Sequence, residues 1–280
     1  MANGRGNGGC GRTECARTLL EDDADPSTQT PRPMTRAYWE SVAEDYEKRV
    51  LSVREHDFRG RIAGAIADAA RRVHEGRAAD LGCGVGKFTS LLADAFAGVE
   101  ACDLSETAME ATRVRCEAFT NVRFHRLDLT RDAMPFAPVD CVLCVNVLLM
   151  PSLDERLRAW RAVSNQVDHG GTLVLVVPSR ESILMEQHHA VEARLEEGQS
   201  CEAALATTLP PDATRQELSQ DVHRLDGVPT KHYLEEELVA LLEGHELTAV
   251  TTEKLRYRSP LEGTPLPCWD WLAVAKRHSG

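Results

Sequence analysis

Positive charge and aromatic side chains are both scarce in this chain. Lys and Arg number 32 against 44 Asp and Glu, a formal net charge of −12, and aromatic residues make up only 5%. That balance excludes a protein whose affinity rests on the phosphate backbone of nucleic acid, because cationic side chains supply most of such affinity. No apolar run reaches the roughly 18 residues that a membrane-spanning helix needs, and no secretory h-region opens the sequence. Neither nucleic acid nor a membrane is therefore an expected partner. The nine cysteines form no disulfide framework, since their number is odd and their spacing irregular. A reducing compartment, the cytoplasm, is the expectation. Cys141 and Cys144 form a C-x-x-C inside an apolar run, but an offset of three in a strand puts the thiols on opposite faces, against a shared metal.

What is present is enough apolar residue, 42% of 280, for one sizeable domain with an embellishment. Residues 1–34 are rich in Gly, Asn, Asp, Thr and Pro without sustained periodicity, and are expected to be a disordered tail before a single domain over 35–280. From Thr35 a helical pattern begins, with Tyr38, Val42 and Tyr46 at successive i+4 steps; Phe58, Ile62, Ile66, Ala70 and Val73 repeat it. After Gly76, short apolar strands alternate with helices. Strands are expected at 78–81, 99–103, 121–129, 139–149 and 172–179, and helices at 87–96, 106–119 and 153–167, with a turn at 169–171. After an insertion over 180–230, helical in its first part and mixed helix and loop after it, the pattern resumes with a leucine-striped helix and two closing strands, Trp269 and Trp271 sharing a face. The alternation implies an α/β fold, a doubly wound, mostly parallel seven-stranded sheet with helices on both faces, plus a helical lid.

The strongest chemical signal is "AADLGCGVGKF". Gly82, Gly84 and Gly86 fall in a strand-to-helix turn, where backbone must turn tightly and let a ligand approach. A dinucleotide fingerprint would have G-x-G-x-x-G; here the spacing is G-x-G-x-G, Lys87 takes the third glycine's place, and Asp80 precedes the loop. No G-K-[ST] ends it, which excludes a P-loop. Further along, Asp103 ends the second strand 21 residues after Gly82, Asp128 follows the third, and Asn146 and Val147 end the fourth.

In these motifs the chain resembles the class I S-adenosylmethionine-dependent methyltransferases, whose first motif, D/E-x-G-x-G-x-G, is matched completely by residues 80–86. The resemblance covers about 35–180 and 230–277. It implies S-adenosylmethionine as cofactor and S-adenosylhomocysteine as product. Asp80, Gly82, Cys83, Gly84 and Gly86 would form the loop; Asp103 would accept the ribose hydroxyls, and Leu104 would join it in the cofactor site. Asp128 and Leu129 would meet the adenine, and Asn146 and Val147 would line the methionine end. Tyr38 and Tyr46 would close over the sulfonium, the alternative being a core-packing aromatic stripe. As competing readings, Asp103 would cap the following helix, Asp128 would be a loop acid and Asn146 a turn former.

Methyl transfer needs chiefly alignment and exclusion of water; a base is required only for a nucleophile that arrives protonated. His232 and Tyr233, opening the helix after the insertion, are the candidates. His188 and His189 point about 100° apart on a helix and cannot share a site. Arg180 and Lys231 bracket the insertion, either as holders of a substrate carboxylate or as solvated charges. The run "VNVLLM" lacks the Asp/Asn-Pro-Pro-aromatic of base-modifying amino-methyltransferases. The expectation is thus an enzyme acting on an N, O or S atom of a small molecule. A peptide or protein methyltransferase, or a non-catalytic Rossmann-like nucleotide-binding protein, are the alternatives.

Overall fold

Short runs of β-branched and small apolar residues, bounded by glycine or polar turns, form the strands of a seven-stranded sheet. The structure is a computed structural model and describes residues 34–46, 53–57, 59–206, 208, 213–225, 227–256 and 268–278, all within the unit Pro33–Gly280. The expected tail, but for Met34, lies outside the described residues.

In chain order the elements are α1 (Arg36–Ala43), α2 (Val53–His56), α3 (Arg61–Ala70), β1 (Arg77–Leu81), α4 (Thr89–Ala95), β2 (Gly98–Asp103), α5 (Glu106–Arg115) and β3 (Val122–Arg126). There follow β4 (Val139–Val145), α6 (Leu153–Asn165), β5 (Val167–Pro178), α7 (Arg180–Glu196), α8 (Cys201–Ala206) and α9 (Arg215–Ser219). The chain closes with β6 (Val222–Leu225), β7 (Val228–Lys231), α10 (Glu235–Gly244), β8 (Leu247–Arg256) and β9 (Trp269–Arg277).

The sheet runs β3-β2-β1-β4-β5-β9-β8, with the first five strands parallel and β9 antiparallel to both neighbours. Strand order reverses between β1 and β4. The loops leaving those two strands diverge there, and open α/β sheets bind ligands in the crevice this creates.

Each face of the sheet is covered, so strand residues are buried on both sides and the strands read as near-continuous apolar runs. Ile62 and Ile66 of α3 pack with Leu92 of α4 on one face; Trp160 and Val163 of α6 pack with Leu238 and Leu242 of α10 on the other. Cys141 belongs to the first cluster and Cys144 to the second, so their thiols do lie on opposite sides of β4.

Three expectations change. β4 ends at Val145 rather than 149, because Asn146 adopts a left-handed conformation at φ +52° and turns the chain out of the sheet. The expected turn at 169–171 lies within β5, as an irregularity: Val139 pairs with Val167, yet Cys141 pairs with Thr172. The insertion holds a β6–β7 hairpin as well as helices, and that hairpin runs back to the carboxyl edge. Lys231 N–H donates to Leu149 O, and Tyr233 N–H to Pro178 O.

Candidate active site

The glycine loop follows β1 directly. Its first two amides, Gly82 and Cys83, both donate to Cys102 O at the end of β2, at 2.8 and 2.9 Å. Gly82 (φ +77°) and Gly84 (φ +55°) take the left-handed conformation that side-chain-bearing residues resist. Space enforces the same choice: a Cβ on Gly82 would stand 2.2 Å from Val147 Cγ2, and one on Gly84 would stand 2.7 Å from the Tyr46 hydroxyl. The loop, Val147 after β4 and Tyr46 after α1 are thereby gathered at the switch point. Cys83 contributes backbone only. Its thiol turns toward Met109 and Thr112 of α5, and burial, then the Asp103 and Asp80 charges, push its ionisation well above the usual thiol range.

Two carboxylates flank the loop. Asp80, 3% exposed, accepts the Thr89 hydroxyl at 2.6 Å. Burial lifts its pKa to about 7 against the pull of that hydrogen bond, and the nearby Asp103 charge adds to the rise. Asp103 accepts Gly84 N–H at 2.8 Å on one oxygen and Ser105 N–H at 2.9 Å on the other. Its pKa is also raised, by burial above all, although the backbone N–H groups of Ser105, Gly84 and Leu104 oppose this. A pair of acids held this way favours a ligand that brings positive charge and hydroxyl donors.

Helix α1 is fastened across this site by Glu40, a residue the sequence reading passed over. Its carboxylate accepts the Ser105 hydroxyl (2.7 Å) and the backbone N–H groups of Glu106 (2.9 Å) and Thr107 (3.1 Å), with Arg126 at 3.2 Å. Burial alone would raise its pKa, but these bonds hold it at about 2. The only signal in the sequence was an acid one turn from the cap Thr35, whose hydroxyl receives Tyr38 N–H at 3.3 Å. Tyr38 itself is half-buried and packs edge-on to Trp39, ring centres 5.2 Å apart.

Around the rest of the rim, Asp128 binds its own turn. One oxygen accepts the Thr130 N–H and hydroxyl at 2.9 and 2.7 Å, and the other lies 3.7 Å from Arg131. Leu129 is buried in the core beneath it, and Leu104 follows Asp103 as the backbone turns into α5. Asn146 Nδ2 donates to Asp270 at 3.0 Å, while its Oδ1 is enclosed and, among the described residues, unpartnered.

The two proposed bases are not presented to this crevice. Tyr233 is fully buried; its hydroxyl donates to Leu148 O at 2.6 Å and accepts Trp160 Nε1 at 3.2 Å, and burial pushes its ionisation above the ordinary tyrosine range. It is a core strut, placed by the Ser179–Tyr233 bridge that pulls it under the sheet edge. His232 is 3% exposed, with Nδ1 2.9 Å from Thr230 O, and burial, followed by the neighbouring His223, lowers its pKa to about 4. The sequence showed polar residues at a helix start; it did not show that this start is buried.

Comparison with known proteins bears on the family and the fold. Residues 78–171 match the family model for a methyltransferase domain. No curated protein sequence matches the chain significantly. Among solved structures, the N-methyltransferase NodS from Bradyrhizobium japonicum WM9, in complex with S-adenosylhomocysteine, is similar at 13% identity. Its TM-score is 0.55, over 85% of this chain and 98% of that one. The magnesium protoporphyrin IX methyltransferase (ChlM) from Synechocystis PCC 6803, with the same product bound, matches at 18% identity and TM-score 0.55, over 86% and 97%. The [4+2]-cyclase SpnF matches at 14% identity and TM-score 0.53, over 79% and 81%.

Proposed function

We infer that this chain, a member of the class I S-adenosylmethionine-dependent methyltransferases, transfers a methyl group to an N, O or S nucleophile of a small molecule. The observation that carries the reading is the joint position of the Gly82–Gly84 turn and the Asp103 carboxylate, 2.8 Å apart through Gly84 N–H. Neither glycine could bear a side chain there, since a Cβ would collide with Val147 or with the Tyr46 hydroxyl.

When bound, S-adenosylmethionine supplies a methyl on a sulfonium, and in-line attack leaves the S–C electron pair on sulfur. The residues act by holding and excluding. Asp103 offers acceptor lone pairs to the ribose hydroxyls, beside Leu104. Asp80, ionised once an ammonium is near, neutralises the methionine end, reached through Gly82, Cys83, Gly84 and Gly86. Tyr46 bounds the loop on the solvent side, and Tyr38 on the same helix continues that wall. Asp128 and Leu129 form the adenine side; Asn146 and Val147 form the methyl side. His232 and Tyr233 are withdrawn as bases, so the reading is of a nucleophile that loses its proton to water or arrives unprotonated.

An acidic chain whose described helices include none long and apolar enough to cross a membrane suits a small substrate in the cytoplasm. The shared fold of a cyclase makes a direct assay essential. The protein, supplied with S-adenosylmethionine labelled in its methyl group and pools of small amines, phenols and thiols, should place label in a low-mass product. Label entering only protein would favour the peptide or protein reading, and product formed without label transfer would remove methyl transfer altogether.

A further inference from the structure

The insertion encloses a group of polar side chains that the cofactor crevice does not use. Arg180 opens α7, and its Nε donates to Asp221 at 2.5 Å, while its Nη1 is closed off from solvent without a partner among the described residues. His223 of β6 is in the same condition: its ring stands edge-on to His232 at 5.4 Å and its Nε2 is enclosed and unpartnered. Lys231 is held by Glu237 at 2.7 and 2.8 Å and lies 3.9 Å from Asp221. Arg156 reaches in from α6, donating to Gln220 at 3.1 Å.

Three cations (Arg156, Arg180, Lys231) face two carboxylates (Asp221, Glu237), with both histidines held toward the neutral form, by burial first and by the surrounding cations. Within this group one positive charge is left over, and the adjoining cavity wall adds Arg194 and Arg224 against Glu186 and Glu217, which leaves that excess unchanged. A guanidinium N–H without an acceptor is costly when buried, because desolvation is not repaid. An enclosed excess cation and two unmade hydrogen bonds call for one anionic acceptor; a dianion would overshoot the balance.

His223 also lines a cavity wall, whose other polar members include Glu186, Arg194, Glu217 and Arg224. A cavity of about 280 Å³ lies between α7, α9 and β6, with Ile183, Leu218 and Val222 supplying apolar surface beside His223. That is near the ~300 Å³ lower end for small-ligand pockets. We propose that this cavity receives the apolar body of a small monocarboxylate, whose carboxylate pairs with Arg180 Nη1 and accepts from His223 Nε2. The proposal rests on the small-molecule reading above and gives it a substrate class: an acceptor carrying one carboxylate away from the atom that is methylated. Since both donor atoms are shielded from solvent, the β6–β7 hairpin must shift to admit it.

The test is calorimetric titration of the full chain, saturated with S-adenosylhomocysteine, with benzoate, benzamide and inorganic phosphate in turn. Benzoate is expected to bind at least tenfold more tightly than either of the others. Arg180→Gln should erase that preference, and His223→Gln, which leaves the Arg180–Asp221 pair intact, should weaken it several-fold, both without changing affinity for S-adenosylhomocysteine. Equal binding of benzoate and benzamide, or none of either, would mean the donors are satisfied by water and would overturn the proposal. So would tighter binding of phosphate, or a preference that survives both substitutions. Saturation with S-adenosylhomocysteine is verified first, so failure there counts against the methyltransferase reading and failure of benzoate alone counts only against the carboxylate site.

Discussion

The Glu40 carboxylate lies 2.7 Å from the Ser105 hydroxyl, and that same hydroxyl caps α5 by accepting Ala108 N–H at 3.1 Å. One acid on α1 thus closes the start of the helix that follows Asp103, tying α1 to the end of β2.

Glu40→Gln should therefore loosen α1 and weaken S-adenosylhomocysteine binding several-fold, with a stability loss of about 1 kcal/mol, the usual worth of a helix N-terminal cap. The carboxyl ionises at about 2 in the folded chain against 4.5 for the free side chain. Its contribution is complete above 4.5 and is lost as pH falls toward 2. Denaturation of both proteins at pH 7, 4 and 3 should show the difference shrinking on the acid side; a constant difference would mean the charge is not what matters.

Asp80 gives the opposite dependence. With its folded pKa raised to about 7 from 3.8, the folded chain binds more protons than the unfolded one between those values, so this group lowers the free protein's stability as pH rises through the window. A ligand ammonium favours the ionised form. Affinity for S-adenosylhomocysteine should accordingly rise about tenfold from pH 6 to the plateau above 7, following the fraction ionised. In Asp80→Asn the rise should vanish, as read by calorimetry at each pH.

Tyr233→Phe separates a structural role from a chemical one. Removing the hydroxyl strands the Leu148 carbonyl and Trp160 Nε1, which should cost about 1–3 kcal/mol of stability. Turnover per folded molecule should stay within about twofold. A loss of turnover of 100-fold or more with unchanged melting temperature would restore Tyr233 as a catalytic group.

Gly82→Ala should destabilise the chain and abolish cofactor binding, because the new methyl meets Val147 2.2 Å away while φ stays at +77°. Combining it with Val147→Ala should recover the part of the loss due to collision and leave the part due to backbone strain. Simple additivity of the two changes would show that they do not share a wall.

Much of this arrangement was legible in the sequence for identifiable reasons. Strands buried on both faces leave continuous apolar runs, and the glycine loop and Asp103 are adjacent to such runs, so their place at strand ends followed directly. The odd spacing of Cys141 and Cys144 foretold their separation by the sheet. What failed depended on weak local patterning or on contacts distant in sequence. "DVHRLDGVPTK" alternates too weakly to announce the β6–β7 hairpin, and the burial of Tyr233 rests on Leu148 and Trp160, more than 70 residues away in the chain. Glu40 reads as an ordinary helix acid; only the approach of α5, more than 60 residues away, makes it a clasp.

What the crevice between β1 and β4 holds decides the function. Calorimetric titration of the full chain with S-adenosylhomocysteine and, separately, with NAD is the direct measurement. Stoichiometric binding of S-adenosylhomocysteine alone, weakened at least tenfold in Asp103→Ala, is the expected result. Binding of NAD in its place, or an affinity indifferent to Asp103→Ala, would contradict it.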